Sequence, residues 1–313
     1  MQCQCSLGAA DHDANTVARP APSEARSVCN GKPGASGFSY AVLGFAASLN
    51  AHIHLHKVAA LNESELAHAG TALLRAHASN APLDAAKQPA APLSVTDAYA
   101  IQAFVASRSA AVGGWKVGAP APHEQATFAP VVSSGVCASG AALDDGGRRM
   151  RGIEVEIAYR LAADLPPRST PYEAQDVANA IDAVLPIIEV VETRLSDRGA
   201  ANGMWALADN LSHGELVIGQ PISAWQDLSL AEVAVLLRFD DMVVVDRKCA
   251  NPGGRPFDLV VRLANLCGTH CAGLRAGQII TTGSLMGLEL APVGANVSAT
   301  IGELGTVDVK FIN

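Results

Sequence analysis

The sequence predicts an α+β fold that begins with helices and continues as a β-rich catalytic region. Residues 62–80 and 94–112 repeat apolar side chains with the 3.6-residue period of an amphipathic helix. From about residue 113 the apolar period changes to two, as expected for half-buried strands. Helical patterns return at residues 171–184 and 256–274. This order of elements indicates an α+β chain, and we detect no internal repeat in it.

The two N-terminal helices carry recognisable start signals. Asn62 is the predicted N-cap of the first helix, and Glu65, three residues later, would complete a capping box. The second helix is expected to start at Thr96 and Asp97. The apolar face of the first helix consists of Leu66, Ala69, Leu73 and His77. That of the second consists of Ala100, Ile101, Phe104 and Val105.

The predicted strands are short segments of apolar alternation. They are "GGWKVGAP", "MRGIEVEIAYRL", "VLPIIEVVE", "VAVLLRF" with "MVVVDRK", "GQIITTGS" and "VSATIGELGTVDVKF". Asp240 and Asp241 separate two apolar arms and predict a hairpin turn. The sequence contains no G-x-G-x-x-G, no P-loop and no G-x-S-x-G.

The composition is that of a folded, acidic chain. The 313 residues are 49% hydrophobic and 17% charged, which allows a full-size core and is too apolar for a disordered protein. The formal net charge is −8 and no Lys/Arg cluster stands out. A nucleic-acid groove or an anionic membrane is therefore not expected as a partner. Small molecules or other proteins fit this charge better.

Residues 1–60 differ from the rest, because they are small, polar and rich in breakers. We predict a poorly ordered N-terminal extension there, followed by a single catalytic domain over residues 61–313. The apolar run 38–49 is shorter than the ~20 residues that a membrane span needs. It also lies too far inside the chain for a signal peptide. We therefore expect a cytoplasmic protein without a membrane segment.

The cysteines and histidines predict no metal site. The seven cysteines form no legible disulfide framework, so reduced thiols are expected. Cys267, His270 and Cys271 could bind a metal, but helical spacing without a second Cys/His pair favours packed helix residues. The alternating histidines of "HIHLH" (52–56) likewise have no partners elsewhere in the sequence.

Three glutamates are the strongest candidate site. In a strand, Glu154 and Glu156 would project side by side from one face, where they repel each other unless water or a cation separates them. Glu189 lies inside the apolar run "VLPIIEVVETR", where an ionised carboxylate needs compensation. Together they would make an oxygen-ligand set for Mg²⁺ or Mn²⁺. The alternative is that the first two face solvent and pair with Arg160 or Arg194.

Lys116 is the second candidate. It lies between Trp115 and Val117 in a short apolar strand bounded by glycines. Such a lysine could point at a substrate carboxylate, or it could donate a proton after desolvation lowers its pKa. The alternative is a lysine on an exposed edge strand.

The segment "ALADNLSHGELVIG" is the third candidate. Asp209, Asn210 and Ser212 precede a predicted strand, so they would line the end of a sheet. The same composition is also that of an ordinary turn.

Seven segments follow one another in a distinctive order: "DAYAIQ", "GWKVG", "IEVEIAYRLAADLP", "AVLPIIEVVETR", "ADNLSHG", "LRAGQIITTGSL" and "LGTVDVKF". In this order the chain resembles the 2-keto-4-pentenoate hydratases of the fumarylacetoacetate hydrolase superfamily, alongside 4-oxalocrotonate decarboxylases. The resemblance runs from about residue 62 to the C terminus. It implies a β-rich fumarylacetoacetate-hydrolase-like fold of packed mixed sheets with flanking helices, a divalent metal and a homo-oligomer.

The resemblance also implies residue roles. An E-x-E pair and a later glutamate bind Mg²⁺ or Mn²⁺ in that family, which carries this role to the three glutamates above. The lysine of the family's G-x-K-[IV]-G corresponds to Lys116, and the serine of its A-D-N-x-S corresponds to Ser212. Lys116 would then hold the substrate carboxylate or pass a proton, while Ser212 and Asn210 would position substrate or water.

The chain departs from the family in the loop after the lysine strand. Members often carry an aspartate there, within a D-[FY]-G-like motif. This loop instead reads "HEQATFAPVVSSG", with Phe128, Ala129 and Pro130 around the expected place. His123 and Glu124 are its only titratable residues, and a hydrolase of this superfamily commonly uses a His-Glu pair.

The resemblance implies a metal-dependent hydratase that adds water to a 2-hydroxy-2,4-dienoate of the 2-oxo-4-pentenoate type. The product would be a 4-hydroxy-2-oxo acid, as in meta-cleavage catabolism of aromatic compounds. The alternatives are a 4-oxalocrotonate-type decarboxylase, an acylpyruvate C–C hydrolase and a non-catalytic partner of the same fold. The expected partners are a small 2-oxo or 2-hydroxydienoate substrate, further copies of the chain and a sister enzyme of the pathway.

Overall fold

The structure, a computed structural model, describes residues 60–197 and 203–312. The predicted extension over residues 1–60, including the histidines at 52–56, lies outside these ranges apart from Ala60. Within the described ranges, no helix is long and apolar enough to cross a membrane.

The described residues form five α-helices: α1 (Glu63–Ser79), α2 (Val95–Ala106), α3 (Ala174–Asn179), α4 (Gly203–Ala208) and α5 (Pro256–Leu266). Helix α1 begins as predicted, because Asn62 Oδ1 accepts the N–H of Glu65 at 3.0 Å and Glu65 Oε2 accepts the N–H of Asn62 at 2.9 Å. The predicted start of α2 at Thr96 is wrong by one residue, because the helix begins at Val95. Ser94 caps it instead, and its Oγ accepts the N–H of Asp97 at 3.1 Å.

Three predicted helices end earlier than expected. Helix α2 stops at Ala106, because the chain already enters a strand at Val112. The helix expected over 171–184 stops at Asn179 for the same reason, since a buried strand begins at Ile181. The helix expected over 256–274 stops at Leu266, since Gly268 (φ 54°) and Cys271 (φ 45°) take left-handed conformations that no α-helix contains.

The strands are β1 (Val112–Gly118), β2 (Thr127–Val132), β3 (Val136–Ala138), β4 (Ala141–Asp144), β5 (Gly152–Leu161), β6 (Ile181–Val191), β7 (His213–Ile218), β8 (Val233–Phe239), β9 (Met242–Cys249), β10 (Ile279–Thr281), β11 (Glu289–Leu290), β12 (Asn296–Ile301) and β13 (Gly305–Ile312). Every predicted strand segment overlaps at least one of them. Asp240 and Asp241 form the turn between β8 and β9, as predicted.

The strands build two sheets. One has the order β2-β1-β10-β5-β6-β7-β3, with β11 also paired to β5, and the other has the order β4-β13-β12-β8-β9. The larger sheet is mixed, because β1 runs parallel to β10 while β5 runs antiparallel to β6. The predicted fold of packed mixed sheets with flanking helices is confirmed.

Strand β5 shows how the larger sheet separates its two faces. Its residues Ile153, Val155 and Ile157 are fully buried in one apolar cluster that includes the five-stranded sheet. Alternation turns Glu154 and Glu156 to the opposite face. A second, small apolar cluster lies among the strands of the larger sheet and consists of Val131, Ala158, Leu185, Ile187, Leu216 and Ile279. A third unites the N-terminal helices around Ala69, Leu73, Ile101 and Trp205.

Candidate metal centre and active site

The antiparallel pairing of β5 with β6 brings the three predicted glutamates together. Glu154 lies directly opposite Glu189, and Glu156 is the next residue of β5 on the same face. One carboxylate oxygen from each residue lies within 4.8 Å of the others. The strand register thus brings Glu189 into one site with Glu154 and Glu156, although it lies 35 residues after Glu154 in the sequence.

Glu156 is held rigidly. Its side chain is buried, and its Oε2 accepts hydrogen bonds from Thr281 Oγ1 and, at 2.8 Å, from the N–H of Gly283. Its Oε1 is buried without a hydrogen-bond partner among the described residues. Burial, together with the carboxylates of Glu189 and Glu154, raises the pKa of Glu156 well above its usual value. The positive charge of Lys116 acts in the opposite direction but does not outweigh these effects on the pKa of Glu156.

Glu189 is fully buried but better compensated. Its Oε1 accepts from Lys116 Nζ at 2.5 Å and lies 3.0 Å from His213 Nδ1. Burial alone would raise its pKa, but Lys116 and His213 outweigh burial and lower the pKa of Glu189 below its usual value. Its second oxygen, Oε2, has no hydrogen-bond partner in the described part of the chain.

The chemistry of this donor set fits a hard divalent cation. Three carboxylates converge, and two buried oxygens, Glu156 Oε1 and Glu189 Oε2, are left without protein donors. Mg²⁺ and Mn²⁺ take such oxygen ligands and leave positions for water or substrate. The alternative that both β5 glutamates face solvent is wrong for Glu156, which is buried. Arg160 binds Asp182 at 2.8 Å and Arg194 binds Asp209 at 2.5 Å.

Lys116 belongs to the same site. Strand β1 lies between β2 and β10, so the lysine is buried, and the edge-strand alternative is wrong. Its Nζ bonds Glu189 Oε1 and, at 3.3 Å, the carbonyl oxygen of Leu211. The expectation that desolvation lowers its pKa is also wrong. Burial acts in that direction, but the neighbouring carboxylates, above all that of Glu189, outweigh it and raise the pKa of Lys116.

The predicted turn before β7 reaches the site through its backbone. Asn210, Leu211 and Ser212 form a short 3₁₀ turn, and the Leu211 carbonyl accepts from Lys116. Asn210 Oδ1 and Ser212 Oγ are buried and lack a hydrogen-bond partner among the residues described. These two atoms are available to a ligand or to water. Asp209 instead binds Arg194.

The loop that departs from the family pattern supplies no replacement carboxylate at the expected place. Residues 127–132 form β2, which sets the buried side chain of Ala129 opposite Lys116. His123 and Glu124 are exposed, and the backbone carbonyl of Glu124 accepts from Arg262. They do not join the described acidic cluster.

Sequence reasoning missed three groups that hold the glutamates: His213, Thr281 and Gly283. His213 follows Ser212 directly in a segment already singled out, so its position beside a motif serine was the available signal. Thr281 pairs with Lys116 across β10 and β1, and no local pattern shows this parallel register.

The Cys267–Cys271 segment is not a ligand set. The glutamate cluster is the one potential metal site of three or more acidic, histidine or cysteine groups in the described ranges. Burial raises the pKa of the Cys267 thiol to about 12 and that of Cys271 to about 11. His270 Nε2 instead lies 3.3 Å from Gln102 Oε1. All four described cysteines are free thiols, as expected.

The two packed sheets with their flanking helices form a fold that is shared with a known class of proteins. The chain belongs to the fumarylacetoacetate (FAA) hydrolase family, whose C-terminal region matches residues 101–312.

Relatives of this chain include hydratases and a decarboxylase. A 2-keto-4-pentenoate hydratase from Paraburkholderia xenovorans (strain LB400) is 26% identical over 254 residues, which are 78% of this chain and 93% of that protein. A 2-hydroxyhexa-2,4-dienoate hydratase from Comamonas testosteroni is 30% identical over 164 residues. That match spans half of this chain and 59% of the relative. A 4-oxalocrotonate decarboxylase from Pseudomonas putida is 28% identical over 160 residues, which are 51% of this chain and 60% of that protein.

A solved structure agrees in fold. The 4-oxalocrotonate decarboxylase from Pseudomonas putida G7, complexed with magnesium and adipate, superposes with a TM-score of 0.69 at 22% identity. The match covers 80% of this chain and 99% of that one. At this identity the likeness shows the shared architecture.

Proposed function

We propose that the protein is a Mg²⁺- or Mn²⁺-dependent hydratase that converts a 2-hydroxy-2,4-dienoate into a 4-hydroxy-2-oxo acid. The observation that carries this proposal is the convergence of Glu154, Glu156 and Glu189, two of them with unpartnered buried oxygens, beside Lys116. The hydratases among the relatives support the choice of reaction. We further propose that it acts in the cytoplasm as a homo-oligomer, in catabolism of aromatic compounds and alongside a sister enzyme of that pathway.

The three glutamates would hold the cation. When bound, such a cation supplies a Lewis acid that stabilises negative charge on a chelated substrate oxygen. Their positions on two paired strands make the ligand set rigid, because both strands are buried inside the sheet.

Lys116 would bind the substrate carboxylate. An ammonium group has three N–H donors, and here two are taken by Glu189 and the Leu211 carbonyl. The third is available to a substrate carboxylate. We favour this binding role over proton transfer, because the hydrogen bonds of Lys116 Nζ to Glu189 and to the Leu211 carbonyl fix its position.

Asn210 and Ser212 would position the reacting groups. The amide oxygen of Asn210 accepts hydrogen bonds, and the hydroxyl of Ser212 donates or accepts them. Both atoms are buried, so a bound hydroxyl group or water would satisfy them. Protonation of the dienol gives an α,β-unsaturated ketone, and water then adds at the position conjugated to the carbonyl, which balances the overall addition of one water.

The test is the ultraviolet decay of 2-hydroxypenta-2,4-dienoate with purified protein, in Mg²⁺ and again in EDTA. We expect loss of the dienol in Mg²⁺ with 4-hydroxy-2-oxopentanoate as product, and no enzymatic loss in EDTA. The Glu189→Gln variant serves as the site control and should resemble the EDTA sample. Decay at the background rate in Mg²⁺ would reject the hydratase.

A decarboxylase is the second candidate, because a 4-oxalocrotonate decarboxylase is also among the relatives. It would use the same chelated 2-oxo acid but release CO₂. Supplying 4-oxalocrotonate to the same protein and measuring CO₂ separates the two reactions. The hydrolase is less well supported, since His123 and Glu124 are exposed and stand outside the acidic cluster. A non-catalytic partner would have no need of the bound metal, which the metal content of the purified protein would show.

A further inference from the structure

The turn that carries Asn210 and Ser212 has an unusual backbone. Asn210, Leu211 and Ser212 have φ angles of 50°, 55° and 60°, three consecutive left-handed residues without a glycine. Side chains with a Cβ disfavour this conformation, and such strain persists only where surrounding contacts impose it. Some part of the protein must therefore hold this turn.

Arg194 holds both ends of the turn at once. Its Nη2 donates to the carbonyl oxygen of Asp209 at 2.7 Å, before the left-handed residues, and its Nη1 donates to the carbonyl oxygen of His213, after them. Its Nε donates to Asp209 Oδ1 at 2.5 Å. One planar guanidinium thus fixes the two anchor points that flank the turn.

Thr193 and the backbone of Arg194, which precede the turn in the sequence, fix the side chain of Asp209. Its Oδ2 accepts from Thr193 Oγ1 at 2.9 Å and from the backbone N–H of Arg194 at 3.0 Å. The pair is buried, since the side chains of Arg194 and Asp209 are 13% and 2% exposed. Water therefore screens it little, and its geometry is well defined.

The turn meets the site at three atoms. The Leu211 carbonyl accepts from Lys116 Nζ, while Asn210 Oδ1 and Ser212 Oγ are the buried atoms left for a ligand. The carbonyl of Ser212 accepts from the N–H of Glu192 at 2.9 Å, so the turn is also tied to the end of β6. A shift of this backbone would move all three site atoms together, whereas the glutamates stand on strands and would stay in place.

We propose that Arg194 and Asp209 are positioning residues that keep this left-handed turn in the conformation that seats Lys116, Asn210 and Ser212 for the substrate. Their role in the reaction rests on the proposed function, but their hold on the turn does not. His213, which bonds Glu189, belongs to β7 and pairs there with Val191 of β6, so we expect the loss of the Arg194–Asp209 pair to affect substrate placement and to leave metal binding intact.

The test compares Asp209→Asn and Arg194→Lys with the wild type. Asparagine keeps the shape but loses the charge, and a single lysine ammonium cannot span two carbonyls and a carboxylate. The matched control is the ion pair Arg160–Asp182, also bidentate at 2.8 and 3.0 Å but exposed and placed at the end of β5 and β6 far from the glutamates. Its variants are Arg160→Lys and Asp182→Asn.

Three measurements are made on each protein: amide hydrogen exchange of the peptide 209–213 and of β5, Mg²⁺ affinity by calorimetry, and kcat and KM for 2-hydroxypenta-2,4-dienoate. In the turn variants we expect faster exchange at 209–213, unchanged exchange in β5 and unchanged Mg²⁺ affinity. We expect kcat/KM to fall about 100-fold, the size typical of a misplaced reacting group. The control variants should match the wild type throughout.

Each other outcome contradicts a stated part of the proposal. Unchanged exchange at 209–213 would show that the pair does not hold the turn. Faster exchange with wild-type kcat/KM would show a purely structural pair, and a joint loss of Mg²⁺ affinity would show a general collapse of the site. If the wild type does not consume the dienoate, the proposed function fails, and the exchange data still decide whether the pair holds the turn.

Discussion

Glu189 uses one carboxylate oxygen for two donors, Lys116 and His213, and leaves the other without a protein partner. Glu156 does the same with Thr281 and Gly283. The protein thus fixes the orientation of each carboxylate through one oxygen and reserves the second. A buried oxygen without a hydrogen-bond partner costs free energy of folding unless another group binds it. A bound cation would remove this cost.

At this scale we predict opposite effects of Glu156→Gln on stability and on metal binding. Burial and the neighbouring carboxylates raise the pKa of Glu156, so removing its charge relieves repulsion in the metal-free protein. The amide oxygen can still accept from Gly283. We expect the metal-free Tm to rise by about 2–4 °C, the shift that ~1 kcal/mol gives in a chain of this size, while Mg²⁺ affinity measured by calorimetry is lost.

The control for this variant is Glu303→Gln, which removes an equal charge from an exposed turn. It should change neither Tm nor Mg²⁺ affinity. A lower metal-free Tm for Glu156→Gln would mean that the carboxylate is already compensated in the absence of metal.

At the scale of elements, the end of β10 matters because it supports the metal centre from the side. Two residues after the end of the strand, Gly283 turns the chain with φ 87° and donates its N–H to Glu156. Only glycine takes this conformation without strain. The backbone of one loop thereby orients a carboxylate on a different strand.

We predict that Gly283→Ala weakens Mg²⁺ binding about 10- to 100-fold, as the loss of outer-shell support typically does. The matched control is Gly277→Ala, on the other side of β10, where φ is 85° and a methyl group would meet open space. Both variants should lose about 1 kcal/mol of stability from backbone strain, but only the first should lose metal affinity. Equal Mg²⁺ affinities of the Gly283→Ala and Gly277→Ala variants would refute a supporting role for this loop.

At the scale of the molecule, the site lies on one face of the larger sheet, and the opposite face packs in a cluster that includes the five-stranded sheet. The three glutamates therefore stand on buried strands, and these strands cannot move apart to separate the like charges. Repulsion within the site then acts on the stability of the whole fold. That residues 61–313 are a single catalytic domain stays a prediction.

It follows that Mg²⁺ should stabilise the protein globally. At a free concentration 100 times the dissociation constant, binding to the folded state adds about 2.7 kcal/mol to the free energy of unfolding. Chemical unfolding in Mg²⁺ and in EDTA measures this difference, with Glu156→Gln as the protein that should show none. Coinciding curves for the wild type would exclude a site of useful affinity in the folded protein.

The sequence by itself determined the features that depend on neighbouring residues. A capping box spans four positions, so Asn62 and Glu65 reveal the start of α1. Alternation along β5 likewise reveals that Glu154 and Glu156 share a face. The glutamate cluster could be predicted because two carboxylates on one face of a strand, and a third inside an apolar run, need a neighbouring positive charge.

Only the tertiary structure decided which groups supply that compensation. The raised pKa of Lys116, the hold of His213 on Glu189 and the engagement of Arg194 with Asp209 all depend on pairs brought together by sheet register and chain return. The early end of the helix predicted over 171–184 has the same origin, since strand β6 includes residues that local periodicity assigned to that helix. Periodicity describes how a segment presents its side chains, whereas burial and electrostatics depend on what another segment places against them.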